Sequence, residues 1–444
     1  MPSPRRVPGV PSSGGPQLGH VSIERLVAGI LAALLAMPSG LSFSLSAGGI
    51  IALILTPVTL PALWRERRGR WLLIALLALV PSGWLVAQAS LLHDRGRTFT
   101  ADVFLYQAAV PVGLSASLVG AYWCITKLGL QRFLLFFSAS LLVATPLLNS
   151  AWFAINPWKY GLALPVSVLT ILLLARSRFL LGFVIAPLLV AVSIAANFRS
   201  SIVFLALATV LAAYTPARST KLSASKIAAL GFVTVAFTVT TGWLIASAST
   251  SGMLGDYLQQ RTNQQLEFSN GNLLFGGRPE WGAAIALWRE NPLGIGIGVA
   301  PSSDDYWLAI RSMPLGTLEQ QLNSGVGKYL KLGQVEFHST FWTFWGVYGA
   351  AGVLFAALAL VYLVRSSMFA TVTISSVALR ASVLLLMLGA IWDILYSPMV
   401  VPQLAVALAT ALYIRGGPNV TPIRTKDLLS EKRSLHQHHY NNAQ

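Results

Sequence analysis

Apolar runs of about twenty residues recur along almost the whole chain, each closed by a short polar turn. They fall at about 24–38, 43–62, 71–90, 103–124, 133–151, 160–175, 179–196, 202–214, 227–247, 338–364, 378–396 and 399–414. The pattern predicts an all-α polytopic membrane protein of about twelve transmembrane helices. One stretch breaks it. About 248–336 is polar and precedes the last three spans, which makes it a large, partly helical loop. Within it Arg278–Gly298 reads R-P-E-W-G-A-A-I-A-L-W-R-E-N-P-L-G-I-G-I-G. Trp281, Ile285 and Trp288 stand at i, i+4 and i+7, so the spacing predicts a helix with these three as its apolar stripe. Pro279 suits the first helical position, and Asn291-Pro292 ends the helix. Gly294, Gly296 and Gly298 then make a turn that lets backbone come close to a neighbour.

Outside the spans, residues 1–20 are rich in Pro, Gly and Ser and read as a disordered tail. Residues 21–415 form the transmembrane domain, and 416–444 a basic polar tail. Composition agrees with the pattern: 55% of residues are hydrophobic, only 10% are charged, and the mean hydropathy is +0.65.

The formal net charge of +16 raises nucleic acid as a partner. Its placement excludes that reading. The large loop is slightly acidic, and the excess cations sit in the tails and in alternate short turns, as in Arg65–Arg70, Lys127 and Arg132, Arg176 and Arg178, and Arg218–Lys226. This is the positive-inside pattern of a membrane protein with both termini cytoplasmic. The large loop, Asn156–Tyr160 and Arg199 then face outward. The single cysteine, Cys124, lies in an apolar span and reads as a small buried hydrophobe, and no metal-ligand spacing appears.

Three residues stand out as candidates for chemistry. Arg278 sits at a helix start, where free N–H groups and the dipole favour an anion, and guanidinium grips phosphate oxygens bidentately. Arg199, in N-F-R-S-S between two apolar spans, is either a snorkelling interfacial residue or a second anion ligand. His338 opens a span and begins a stripe with Trp342, Trp345 and Gly349. It is a structural histidine or a base for a hydroxyl nucleophile. Trp281, Trp342 and Trp345 are an interfacial aromatic belt or a stacking surface for sugars and prenyl chains. Lys159 and the pair Arg95 and Arg97 add positive charge to the same mouth. Arg289 reads as solvated, and Asp393 as an acid at a span end.

At these residues the chain resembles the O-antigen ligase / O-antigen polymerase superfamily of membrane glycosyltransferases. The resemblance runs from about Asn156 to Arg365: the N-P-W-K-Y turn, Arg199 opening a span, R-P-E-W with Trp288, Pro292, Gly294 and Gly296 in the loop, then His338-Ser339 with Gly346, Gly349 and Gly352 behind it. Asn197-Phe198 and the early Trp281 depart from the family pattern. The resemblance implies a metal-independent, cofactor-free inverting transferase. Its donor is a glycan on polyprenyl diphosphate, and its acceptor is a hydroxyl on a glycan, lipid or protein. Arg199 and Arg278 would hold the diphosphate and His338 would activate the acceptor. A transporter or flippase of lipid-linked anions is the alternative. It would use the same arginines for binding only and place polar residues deep in several spans.

Overall fold

The structure, a computed structural model, describes residues 23–39, 45–94, 96–148, 150–213, 236, 239–269, 271–315, 317–398 and 400–416. Both expected tails, most of the expected 227–247 span and Arg95 lie outside them. The described chain is an all-α bundle with a two-stranded ribbon. Its elements are α1 (Ile23–Leu34), α2 (Ala47–Ile54), α3 (Thr56–Trp64), α4 (Arg67–His93), β1 (Thr98–Phe99), α5 (Ala101–Leu128), α6 (Leu130–Leu147), α7 (Trp158–Leu174), α8 (Arg178–Ala195) and α9 (Arg199–Ala213). The loop follows with α10 (Asp256–Phe268), α11 (Leu273–Gly277), α12 (Glu280–Glu290), β2 (Val299–Ala300), α13 (Ser303–Arg311), α14 (Leu318–Leu322) and α15 (Gly325–Lys331). Last come α16 (Thr340–Tyr348), α17 (Ala350–Thr373), α18 (Val377–Tyr396) and α19 (Val401–Gly416).

Among the described residues, six helices are long and apolar enough to cross a membrane: α4, α5, α6, α8, α17 and α18. A seventh is counted if α2 and α3 form one span, while α7, α9 and α19 are shorter apolar helices. Two expected spans are not single helices. The 43–62 run turns by 88° between α2 and α3, because Pro57, in the first turn of α3, cannot donate back into α2. The 338–364 run breaks at Gly349, which adopts φ 63° between α16 and α17. A methyl there would meet the Leu293 carbonyl oxygen at 2.6 Å, so only glycine lets the loop backbone press into the bundle at that point.

Small residues bring helices close, as packing without a hydrophobic driving force requires. Gly120 of α5 faces Ala52 of α2, and Gly49 faces the Ser117 hydroxyl. At the far end of α18, Arg380 donates to the carbonyls of Ile374 and Ala212, tying α18 to the C-terminus of α9.

The loop is stapled to the α4–α5 hairpin. β1 pairs antiparallel with β2, Thr98 opposite Ala300 and Phe99 opposite Val299. Beside the ribbon the buried Arg97 guanidinium grips both Asp305 oxygens at 2.8 Å and donates to Ser90 and Asn291. Arg97 is therefore spent on structure and adds no charge to a mouth; its fork matches a carboxylate supplied from the loop. Removing one member of such a pair strands the other charge. Arg97→Ala is expected to cost about 3 kcal/mol of stability. The double variant Arg97→Leu/Asp305→Leu should recover part of that, as read by thermal unfolding in detergent.

Pro292 and Leu293 are exposed, but the Gly294–Gly298 segment that follows is not an exposed turn. It threads through the bundle as buried, non-helical backbone, which is tolerated at such depth only when its polar groups are met by protein. The N–H groups of Ile295 and Gly296 donate to the Gly346 carbonyl, Ile297 to Gly83, and Gly298 to the Gln107 side chain. Gly294, Gly296 and Gly298 have φ of 97°, 100° and 76°. The close neighbour their freedom serves is the protein itself: Trp345, Ala87 and Phe104.

Candidate functional site

The loop helix α12 buries Glu280, Ala283, Ala284 and Leu287, a stripe at i, i+3, i+4 and i+7. The expected stripe of Trp281, Ile285 and Trp288 is rotated away from the core, and Trp288 and Arg289 are exposed. The rotation puts an acid, Glu280, on the inner face. Arg278 lies just before the helix, half-buried. Its Nε donates to the Tyr396 carbonyl at 2.5 Å, its guanidinium covers the Tyr396 ring at 5.1 Å, and Nη2 stands 3.5 Å from the Ser397 hydroxyl. The loop arginine is thereby fixed on the end of α18. The same charge reaches Asp393, one turn down.

His338 stands opposite. It precedes α16 rather than opening it, with φ 51°, a conformation that costs a side-chain-bearing residue about 1 kcal/mol. Its imidazole Nδ1 is 4.0 Å from Glu280 Oε1. The ring lies against Gly325 and Tyr329 of α15, where a methyl at 325 would overlap it. The next two residues are anchored: Ser339 and Thr340 donate to the carbonyls of Ile394 and Asp393 on α18. Burial lowers the His338 pKa below the usual imidazole value; Glu280 pulls it up and Arg278 pushes it down. The ring is therefore neutral at pH 7 and able to take a proton.

Three polar atoms in this corner, Glu280 Oε2, Trp281 Nε1 and His338 Nδ1, are buried without a hydrogen-bond partner among the described residues. Unsatisfied buried polar atoms are rare, and a group of them marks a place built for something other than packing. Trp281 is edge-on to Tyr396 at 5.5 Å. Tyr396 packs on Trp392 at 4.4 Å, and Trp392 on Phe204 of α9 at 5.6 Å. The aromatic column runs from the loop down into the bundle.

The column also locates Arg199. Phe204 beside Trp392 and Ala212 bonded to Arg380 make α9 and α18 antiparallel. Arg199 is five residues before Phe204, about 7.5 Å up the axis, which is the level of Tyr396 and Ser397. Asn197 just before it is, with His338, one of two non-glycine residues with positive φ among those described. Asn tolerates this, and the Phe198 N–H then closes the end of α8 on the Ser193 carbonyl. Lys159 sits on a π-helical turn, Trp158–Leu162; Trp158 of that turn bonds to Ser193, and Asn156 just before it to Ala196. That turn is bonded to the one that precedes Arg199, and the Lys159 amine is 5.0 Å from the Tyr160 ring.

The structure thus brings Arg278, Trp281 and His338 into one corner, sets Arg199 level with it, and leaves Lys159 on the adjoining turn. The two tryptophans of α16 divide. Trp342 is half-buried, whereas Trp345 is 2% exposed and its indole N–H holds the Pro292 carbonyl at 3.1 Å. Trp345 bears on the site by fixing the loop. Sequence reasoning passed over Glu280, Tyr396 and Glu336. Only Glu280 left a trace, as an acid on an otherwise small and apolar helical face.

Glu336 accepts from the Thr343 hydroxyl and the His338 N–H, each at 3.2 Å. Desolvation pushes its pKa up to about 7. A raised carboxyl pKa stabilises the fold below the unfolded value, and that stability is lost as pH rises through 7. Thermal stability should fall by on the order of 2 kcal/mol between pH 5 and pH 8. Glu336→Gln should flatten that slope; an unchanged slope would assign it to another group.

Two hollows of about 390 and 440 Å³ lie at the opposite end of the bundle, around Leu128–Arg132 and around Glu66–Trp71. The loop end is marked instead by its buried polar atoms. Comparison with family models, curated proteins and solved structures finds no match to this chain.

Proposed function

We propose that the chain is a membrane glycosyltransferase of the O-antigen ligase or polymerase type, with about twelve spans and its loop end outside the bacterial cytoplasmic membrane. The donor is a glycan on polyprenyl diphosphate, and the acceptor is a hydroxyl of a glycan, lipid or protein. The observation that carries this reading is the corner itself: a fixed arginine, a neutral histidine beside a carboxylate, and an aromatic column, all at one end of α18.

Each part has a role in the transfer. Arg278, with Arg199 at the same level and Lys159 nearby, offsets the diphosphate charge as the glycosidic C–O bond breaks, with no metal required. His338 takes the acceptor proton while the acceptor oxygen attacks the anomeric carbon from the opposite side, inverting it. Polyprenyl diphosphate leaves with the bonding electron pair. Glu280 steadies the imidazolium that forms. The Trp281–Tyr396–Trp392 column and Trp342 offer ring faces and edges to sugar and prenyl chain.

The test is a reconstituted transfer assay with polyprenyl-diphosphate glycan, candidate acceptors and chelator. Wild type should release polyprenyl diphosphate and transfer glycan, and Arg278→Ala should lose at least 10²-fold. Donor binding without transfer to any acceptor would favour a transporter.

A further inference from the structure

We propose that the end of the bundle opposite His338 carries a site for the phosphate-bearing headgroup of an anionic membrane lipid, built by the start of α4, the end of α19 and the lower part of α17. The site is independent of the transfer chemistry.

The sequence supplies the cations. R-E-R-R-G-R (Arg65–Arg70) precedes the long α4 span, Arg365 lies in α17, and Arg415 is the penultimate residue of α19. The fold gathers them. Arg415 feels the charges of both Arg68 and Arg365, and Tyr362 feels all three together with Glu66. Glu66, Arg67, Arg68, Trp71, Arg415 and Gly416 line one hollow of about 440 Å³. The Glu66 carboxylate lies against Gly416. That contact docks the start of α4 on the end of α19 and sets Arg68 facing Arg415.

The charges are not satisfied from within. Among the described residues no ion pair joins Arg67, Arg68, Arg365 or Arg415 to a carboxylate, and no hydrogen bond to their side chains is present. Four guanidiniums therefore face one carboxylate. Like charges held together by rigid helices repel, and an assembly that keeps them convergent is stabilised by a polyanion. Arginine matches phosphate oxygens in particular.

Position names the source of that phosphate. The hollow is at the termini of apolar helices, where headgroups lie. Trp71 stands at its edge, 55% exposed, as an aromatic does at a membrane–water interface. A basic pocket between span ends suits a lipid with two phosphates better than one with a neutral headgroup.

The full-length protein in mild detergent provides the test, with thermal unfolding and native mass spectrometry as readouts. The probes are cardiolipin, phosphatidylglycerol, phosphatidylcholine and inorganic pyrophosphate. Cardiolipin should raise the unfolding temperature and remain bound, phosphatidylglycerol should do so more weakly, and phosphatidylcholine should not. Arg68→Gln/Arg415→Gln should weaken cardiolipin binding at least tenfold, while Arg176→Gln, an exposed cation in the connection between α7 and α8, should leave it unchanged. The lipid-free unfolding temperature of the double variant reports whether the fold survives. Equal retention by the double variant, or equal stabilisation by phosphatidylcholine, would overturn the site. Stabilisation by pyrophosphate alone would overturn its assignment to a lipid.

Discussion

His338→Ala is expected to lower the rate of the proposed glycan transfer by about 10³-fold while donor binding changes by no more than about twofold. The expectation follows from a base that acts on the acceptor and does not hold the diphosphate. Arg278 on Tyr396 and the aromatic column remain in place without the imidazole. The pH profile gives a second readout. Burial keeps His338 neutral, so the rate is level at neutral pH and falls only on the acid side of the ordinary imidazole value. Glu280 is what holds the pKa up against burial. Glu280→Gln therefore moves the acid limb to still lower pH and slows the plateau, because the imidazolium loses its counter-charge. An acid limb that stays where it is in Glu280→Gln would remove His338 as the titrating base, whatever His338→Ala does to the rate.

Gly296→Ala is expected to cost about 4 kcal/mol, enough to leave little folded protein at 37 °C. Two penalties add at this position. The residue has φ 100°, a region that side-chain-bearing residues rarely enter. The added methyl would also run into the backbone of Ala87 on α4, which cannot move without dragging the long span with it. Gly389→Ala is the control, since it meets nothing within 4 Å in the middle of α18 and should be neutral or slightly stabilising. Yield and unfolding temperature in detergent distinguish the two. Similar behaviour of both variants would mean that the Gly294–Gly298 thread is not held as described.

Much of the architecture is legible because apolar length is a strong signal. α4, α5, α6, α8, α17 and α18 each stand out as a run with polar ends. What the runs do not carry is where a helix stops inside one. Pro57 and Gly349 lie within continuous apolar stretches, and only the neighbours they meet show whether the chain bends there. The candidate site was legible in Arg278 and His338, since a guanidinium and an imidazole beside apolar runs are conspicuous. Glu280 was hidden by a phase error of one residue on α12. Two tryptophans outweighed two small residues in the reading of the stripe, yet Ala283 and Ala284 allow the closer approach and take the inner face. Arg97 shows the opposite failure. Its type suggested an open cationic mouth, and its partner, Asp305, stands 208 residues away, beyond the reach of any local pattern.

That separation has a consequence for how the protein is made. The α4–α5 hairpin leaves the ribosome carrying Arg97 and Gln107, whose loop partners, Asp305 and the Gly298 N–H, have yet to be synthesised. At about 5–20 residues per second, 208 residues take roughly 10 to 40 seconds. Through that interval the hairpin holds a guanidinium met only by its own Asp94 and Ser90, and an open polar seam at the edge of the bilayer. The insertion machinery has to shelter it, and a stall between α5 and α13 would leave a chain whose early spans are in place but unlocked.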